Sequence, residues 1–216
     1  VGDPHVRPDR AMAYEACVGA QEGESGNYRD GNYGAGCGAT VGKFAGMDYC
    51  MKSGIGSCAL QVGELQVGAV VAVNALGDIY DWRSGQKLAG LLAEDRRSFR
   101  RTEDLMYADT RTVENKFTGN TTIGVVITNA DFQKASLCKI AGMAQDGYAR
   151  SIRPVHTTAD GDSIYAVSVR DAEGKKVSAD QDLVGTLAAE VMSEAITAAV
   201  KSARSAYGLP AWEDIS

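Results

Sequence analysis

Gly119-Asn120-Thr121-Thr122-Ile123-Gly124-Val125-Val126-Ile127-Thr128 sets a hydroxyl residue at the mouth of an apolar, β-branched run, directly after an asparagine. In isolation the stretch reads as a strand whose first residue is a threonine suited to a pleated sheet. The same residues also suit self-cleavage. If the Asn120–Thr121 peptide breaks, Thr121 acquires a free α-amine, and one residue then carries a nucleophilic hydroxyl and the base that activates it. Such an amine has a reference pKa of roughly 7.7–8.0, so a useful fraction accepts protons near neutrality.

Outward from this strand the pattern is clear. Residues 132–148 read as a helix with Leu137, Ile140, Ala141, Ala144 and Tyr148 on one stripe. Residues 163–170 read as a strand, with Ile164, Ala166 and Ser168 opposite Tyr165, Val167 and Val169. Asp180 then caps a long helix, ending before Gly208 and Pro210, whose face comprises Leu183, Val184, Leu187, Val191, Ala195 and Ile196.

On the other side of Asn120, residues 57–62 and 65–74 are two β-prone runs joined by Gly63-Glu64, which predicts a hairpin whose second strand is buried on both faces. Residues 78–80 suggest a short continuation. Residues 9–20 predict a helix capped by Asp9 with Met12, Ala13, Ala16, Cys17 and Ala20 on a buried face. Between them, glycines at 23, 26, 31, 34, 36, 38, 42 and 46 suit tight turns and close backbone approach. Apart from residues 88–93, the segment 81–118 is polar and aperiodic, and reads as a long surface excursion leading to the cleavage point. Helix, hairpin and strand–helix–strand–helix together predict an α/β fold, specifically an αββα sandwich of two packed sheets flanked by helices.

Composition narrows the function. With 28 acidic against 22 basic residues the net charge is −6, which argues against nucleic-acid binding. The one basic cluster, Arg96, Arg97, Arg100 and Arg101, lies among Glu94, Asp95, Glu103 and Asp104 and reads as a solvated mixed-charge loop. No apolar run approaches the ~18 residues of a membrane span. Cys17, Cys37, Cys50, Cys58 and Cys138 have no disulfide or zinc spacing and read as buried small residues of a reducing compartment. A cytoplasmic location is expected. A periplasmic one stays open because the sequence begins at Val1, as if an upstream part belongs to it.

Several motifs jointly carry a family resemblance. They are residues 119–126 (GNTTIGVV), 141–150 (AGMAQDGYAR) and 154–162 (PVHTTADGD), with 1–4 (VGDP), 34–43 (GAGCGATVGK), 73–78 (VNALGD) and 207–210 (YGLP). In this order and over essentially the whole chain, the sequence resembles the L-aminopeptidase/D-esterase family, which includes β-aminopeptidases and nylon-oligomer hydrolases. The resemblance implies an N-terminal-nucleophile-like hydrolase that cleaves itself between Asn120 and Thr121. Residues 1–120 would belong to the α-subunit and residues 121–216 to the β-subunit, together forming one domain.

By position within these motifs, the resemblance implies that Thr121 is the nucleophile and that Asp160 and Asp162 orient it. Asn74 would stabilise the oxyanion, and Lys43 would sit close to the nucleophile. His156 is expected to pack beneath the site rather than act as base, and His5 has less claim still. The implied substrates are small amides, esters, short peptides or amide oligomers, with no cofactor or metal. The implied assembly is a homo-oligomer of processed αβ units. Many aminopeptidase members have Ser at the nucleophile position, whereas Thr121 matches the nylon-hydrolase branch. The family's upstream, pocket-lining segment is not within this sequence and is expected in the same protein or a partner chain. Two alternatives are an acetyltransferase of the ornithine-acetylating type, which shares the fold and Thr nucleophile, and an unprocessed non-catalytic subunit.

Overall fold

The structure is a computed structural model that describes residues 1–3, 5–21, 28–108, 119–170 and 173–215. In chain order its elements are α1 (Arg10–Gln21), β1 (Thr40–Val41), β2 (Met51–Lys52), β3 (Ile55–Val62), β4 (Leu65–Asn74), β5 (Asp78–Tyr80), β6 (Lys87–Ala89), α2 (Thr102–Ala108), β7 (Thr121–Thr128), α3 (Lys134–Ser151), β8 (Ile152–Arg153), β9 (Ser163–Ser168) and α4 (Gln181–Lys201).

The principal sheet has the order β3-β4-β7-β9. Strands β3 and β4 form the expected two-residue hairpin, Val62 opposite Leu65 and Gly63 at φ +60°, a left-handed conformation that glycine adopts without steric cost. Strand β7 runs antiparallel to β4, from Val67 opposite Thr128 to Asn74 opposite Thr121. Strand β9 pairs with β7 in parallel, as a strand returning after a helical crossover must.

On β4 the buried side chains alternate strictly: Leu65, Val67, Ala69, Val71 and Val73 face the core, and their even-numbered neighbours face away. The expectation of a strand buried on both faces is therefore corrected. Helices α3 and α4 cover the inner face, through Ile140, Ala144 and Tyr148 on α3 and Val184, Ala188, Val191, Met192, Ala195 and Ile196 on α4. Leu183 is exposed at the edge of that helix face. On the opposite face Ile123, Tyr165 and Val167 are exposed.

Helix α4 is apolar and long enough to cross a bilayer by composition alone. Two-thirds of its apolar window is buried against this sheet and α3, as in the core helix of a globular fold. Its start is fixed by Asp180, whose Oδ1 accepts from the backbone N–H groups of Asp182 (2.9 Å) and Leu183 (3.0 Å). Strand β3 lies so close to this helix that a Cβ on Gly56 would fall 2.1 Å from the Ala195 carbonyl oxygen.

A smaller sheet, β6-β5-β8, shares the same core through Ile79, Leu88, Ala89 and Ile152. It corrects the reading of residues 81–118 as a surface excursion. Leu88, Leu91, Leu92 and Thr102 are buried. Their anchor is Asp78, itself 1% exposed, which accepts from Leu91 N (2.8 Å), Thr102 N (2.8 Å) and Thr102 Oγ1 (2.9 Å) and pairs with Lys87 Nζ (2.9 Å). A buried carboxylate this fully bonded holds a polar segment against the core. Residues 109–118, the rest of the expected excursion, lie outside the described residues.

Two smaller expectations change. Helix α1 is capped by Asp9 Oδ1 on Met12 N (2.9 Å), as anticipated, yet none of its residues is buried. Among the cysteines, all free, only Cys50 is buried; Cys58 is partly covered, and Cys17, Cys37 and Cys138 are exposed. The arginine cluster is solvated, with Arg101 pairing with Glu103 and Asp104.

Candidate functional site

Three segments converge where β4 ends and β7 begins. Strand alternation places Asn74 and Thr121, direct cross-strand partners, on the sheet face opposite the helices. The parallel register of β7 with β9, which begins at Ile123 opposite Ser163, recurs three residues earlier as a bridge between Asn120 and Asp160. That bridge lays the Asp160-Gly161-Asp162 turn over the Asn120–Thr121 peptide. Gly161 N–H donates to the Asn120 carbonyl oxygen at 2.9 Å, and Thr121 Oγ1 donates to the same oxygen at 2.5 Å. The nucleophile candidate therefore already rests on the carbonyl group it would attack.

Lys43 reaches the site by a different route. Gly42 has φ +75°, and a Cβ there would fall 2.1 Å from Leu91 N, so only glycine fits. Gly42 N and Lys43 N donate to Gly77 O and Leu76 O, each at 3.0 Å, tying the glycine-rich segment to the end of β4. The Lys43 side chain is thereby buried, 1% exposed, with Nζ donating to Asn74 Oδ1 (2.8 Å) and Asn74 O (3.0 Å). Burial lowers its pKa to about 8, opposed by the negative charge of Asp160 and of Cys50 when ionised.

An ammonium offers only donors, so it fixes which end of the Asn74 amide faces it. Oδ1 takes Lys43 together with Thr40 N (3.1 Å) and Thr40 Oγ1 (3.3 Å), leaving Nδ2 to donate to the Gly119 carbonyl at 2.8 Å. In the intact chain Asn74 thus grips the peptide one residue before the Asn120 carbonyl.

The two carboxylates flank Gly161 as expected but are engaged around Thr121 rather than on it. Asp160 accepts from Leu76 N (3.2 Å), Thr157 N (3.2 Å) and Thr157 Oγ1 (2.6 Å). Asp162, 3% exposed in its side chain, accepts from Thr122 N at 2.9 Å and faces His156 Nδ1 at 3.1 Å. His156 is exposed, at φ +57°, with its backbone N–H 3.3 Å and its Nδ1 3.1 Å from Asp162 Oδ2. Tyr148 is fully buried, and its hydroxyl lies 3.3 Å from the carbonyls of Thr122 and Ser163. Burial, reinforced by the Asp162 charge, raises the phenol pKa well above its usual value, so it remains a donor.

Lys43, Asn74, Asn120, Thr121, Asp160 and Asp162 are therefore drawn into one cluster, and His5 is not among them. The Gly161 donor is a backbone group and leaves no mark on residue type, although a glycine wedged between two acids hints that a side chain is not tolerated there. Thr40 and Thr157 act through paired backbone and hydroxyl bonds, to Asn74 Oδ1 and to Asp160 Oδ2, that no spacing rule picks out.

Against known proteins, the model of Peptidase family S58 matches residues 3–211. An uncharacterised aminopeptidase of Mycobacterium leprae is 34% identical over 229 residues, covering 98% of this chain and 61% of the relative. The 6-aminohexanoate-oligomer endohydrolase of Paenarthrobacter ureafaciens is 29% identical over 207 residues, covering 91% and 57%. The chain thus spans about three-fifths of the length of these relatives. Among solved structures, the L-aminopeptidase D-Ala-esterase/amidase of Ochrobactrum anthropi, a variant of the Ntn-hydrolase fold, superposes with a TM-score of 0.54 at 19% identity, covering 83% of this chain and 47% of that one. This likeness establishes the Ntn-hydrolase fold, and the family match over nearly the full chain gives the conclusion: the chain belongs to peptidase family S58.

Proposed function

We propose that this chain is the nucleophile-bearing part of a self-processing amide hydrolase, with residues 1–120 and residues 121–216 falling in the two different products of one cleavage. The observation that carries the reading is the 2.5 Å contact of Thr121 Oγ1 with the Asn120 carbonyl oxygen. In the first step Oγ bonds to the Asn120 carbonyl carbon and the hydroxyl proton passes to the Thr121 nitrogen as the C–N bond breaks. The result is an ester between Asn120 and Thr121 with a free α-amine. Water then hydrolyses the ester, leaving an Asn120 carboxylate and regenerating the Thr121 hydroxyl.

The freed residue works on substrates in the same manner. Its amine accepts the hydroxyl proton, the oxygen attacks the substrate carbonyl, and the proton passes to the departing amine as the acyl-enzyme forms. Water, deprotonated by the same amine, completes the cycle. Lys43 and Thr40 lock the Asn74 amide with its N–H groups turned toward this peptide, and cleavage of the neighbouring bond frees that donor to meet a substrate oxyanion. Asp160 and Asp162 brace the turn and the second peptide of β7.

The names of the relatives support small amides, short peptides or amide oligomers as substrates. The test is the intact mass of the purified full-length protein, combined with turnover of an amino-acid amide. A new chain beginning at Thr121, accompanied by amide hydrolysis, is the expected result. A permanently intact chain without turnover would instead identify a non-catalytic subunit.

A further inference from the structure

We infer that Gly161 is the oxyanion donor of the self-cleavage step, held on the Asn120 carbonyl by the Asp160-Gly161-Asp162 turn. The inference rests on the processing reading above. As Thr121 Oγ bonds to the Asn120 carbon, the carbonyl π electrons move to the Asn120 oxygen. That oxygen already accepts the Gly161 N–H at 2.9 Å. A donor aimed at the atom where charge develops lowers the barrier because it needs no reorganisation. The charge returns as the C–N bond breaks, the Thr121 nitrogen having taken the hydroxyl proton, so the donor is not consumed.

The identity of residue 161 serves the same step. A Cβ there would stand 2.8 Å from Thr121 Oγ1 and 3.7 Å from the Asn120 oxygen. The added methyl would push the hydroxyl off the carbonyl while leaving the N–H in place. The turn is held in register by bonds outside the reacting atoms: Asp160 accepting from Leu76 N and from Thr157, and Asp162 accepting from Thr122 N. Asn74, by contrast, donates to Gly119 O and lies off the Asn120 oxygen in the intact chain. Gly161 is thus the backbone donor on the group that must be polarised.

The experiment follows the formation of the chain beginning at Thr121, by mass spectrometry over time, in freshly translated full-length protein. Three forms are compared: the parent, Gly161→Ala, and a form with glycolic acid in place of Gly161, an ester that deletes the N–H without adding an atom. The ester form should mature about a hundredfold more slowly, the usual scale for losing one such donor. Gly161→Ala should slow comparably, with partial rescue by combining it with Thr121→Ser, whose hydroxyl has no methyl constraining its rotation. If the ester form matures at the parental rate, the inference is overturned even if Gly161→Ala fails to fold, and the processing reading stands. If the parent itself never cleaves, the processing reading fails.

Discussion

Asn74 and Thr121 stand opposite one another at the last position of the β4–β7 ladder, on the sheet face turned away from the helices. Because a one-residue slip would turn Thr121 toward the core, the register set by the buried alternation of β4 also sets the nucleophile candidate's orientation. The hairpin and the chemistry are thereby coupled.

That coupling makes Asn74 testable in two ways. Asn74→Ala removes the acceptor from Thr40 and from the Lys43 ammonium, and should cost about 1–3 kcal/mol for the groups it strands. Asn74→Asp gives Lys43 a charged partner and should recover much of that stability, yet it lacks the N–H that grips Gly119. Thermal melts should therefore rank Asp above Ala. Time courses of fragment appearance should show both variants slow. Parental maturation in Asn74→Asp would contradict the role given to its amide.

Burial of two lysines gives a pH signature. Lys52, fully buried and bonded to the carbonyls of Gly36, Ala39 and Ser53, has its pKa lowered to about 8, as does Lys43. The unfolded value is about 10.4, so between about pH 8 and 10.4 the unfolded chain binds more protons and each lysine makes stability rise with pH. Raised pKa values at Cys50, Cys58 and Tyr148 act in the opposite direction but are common to parent and variant. Denaturant melts from pH 7.5 to 9.5 should show a shallower rise in Lys52→Met than in the parent. Identical slopes would mean that Lys52 is not held in the low-dielectric setting described.

Close packing of β3 on α4 predicts that Gly56→Ala destabilises at the upper end of the ~1–3 kcal/mol range for overpacked cores. The intruding atom meets backbone at Ala195 and Ala199, which cannot rotate aside. An unchanged melting temperature would refute the contact.

Much of this architecture is legible in sequence where the determinants are local. The Gly63-Glu64 link, the β-prone runs of β4 and β7, the Asp180 cap and the stripes of α3 and α4 each fall within one segment, whereas the one-sided burial of β4 depends on which face the helices cover. The smaller sheet was hidden because Asp78 organises residues 87–102 through bonds that cross up to 24 positions, and a polar segment read alone looks solvated. Membership of the site was legible from the motifs, but its wiring was not. Asp162 on Thr122 N and Gly161 on Asn120 O are consequences of the β7–β9 register, a pairing between strands separated by a whole helix.

The most direct test of the central claim is N-terminal sequencing of the mature fragments in amide-hydrolysing protein, paired with the Thr121→Ala variant. A fragment beginning at Thr121 in the parent, with cleavage and turnover both lost in the variant, is predicted. A mature fragment beginning elsewhere, or a Thr121→Ala protein that hydrolyses amides at the parental rate, would contradict the claim that one backbone cut makes Thr121 both nucleophile and base.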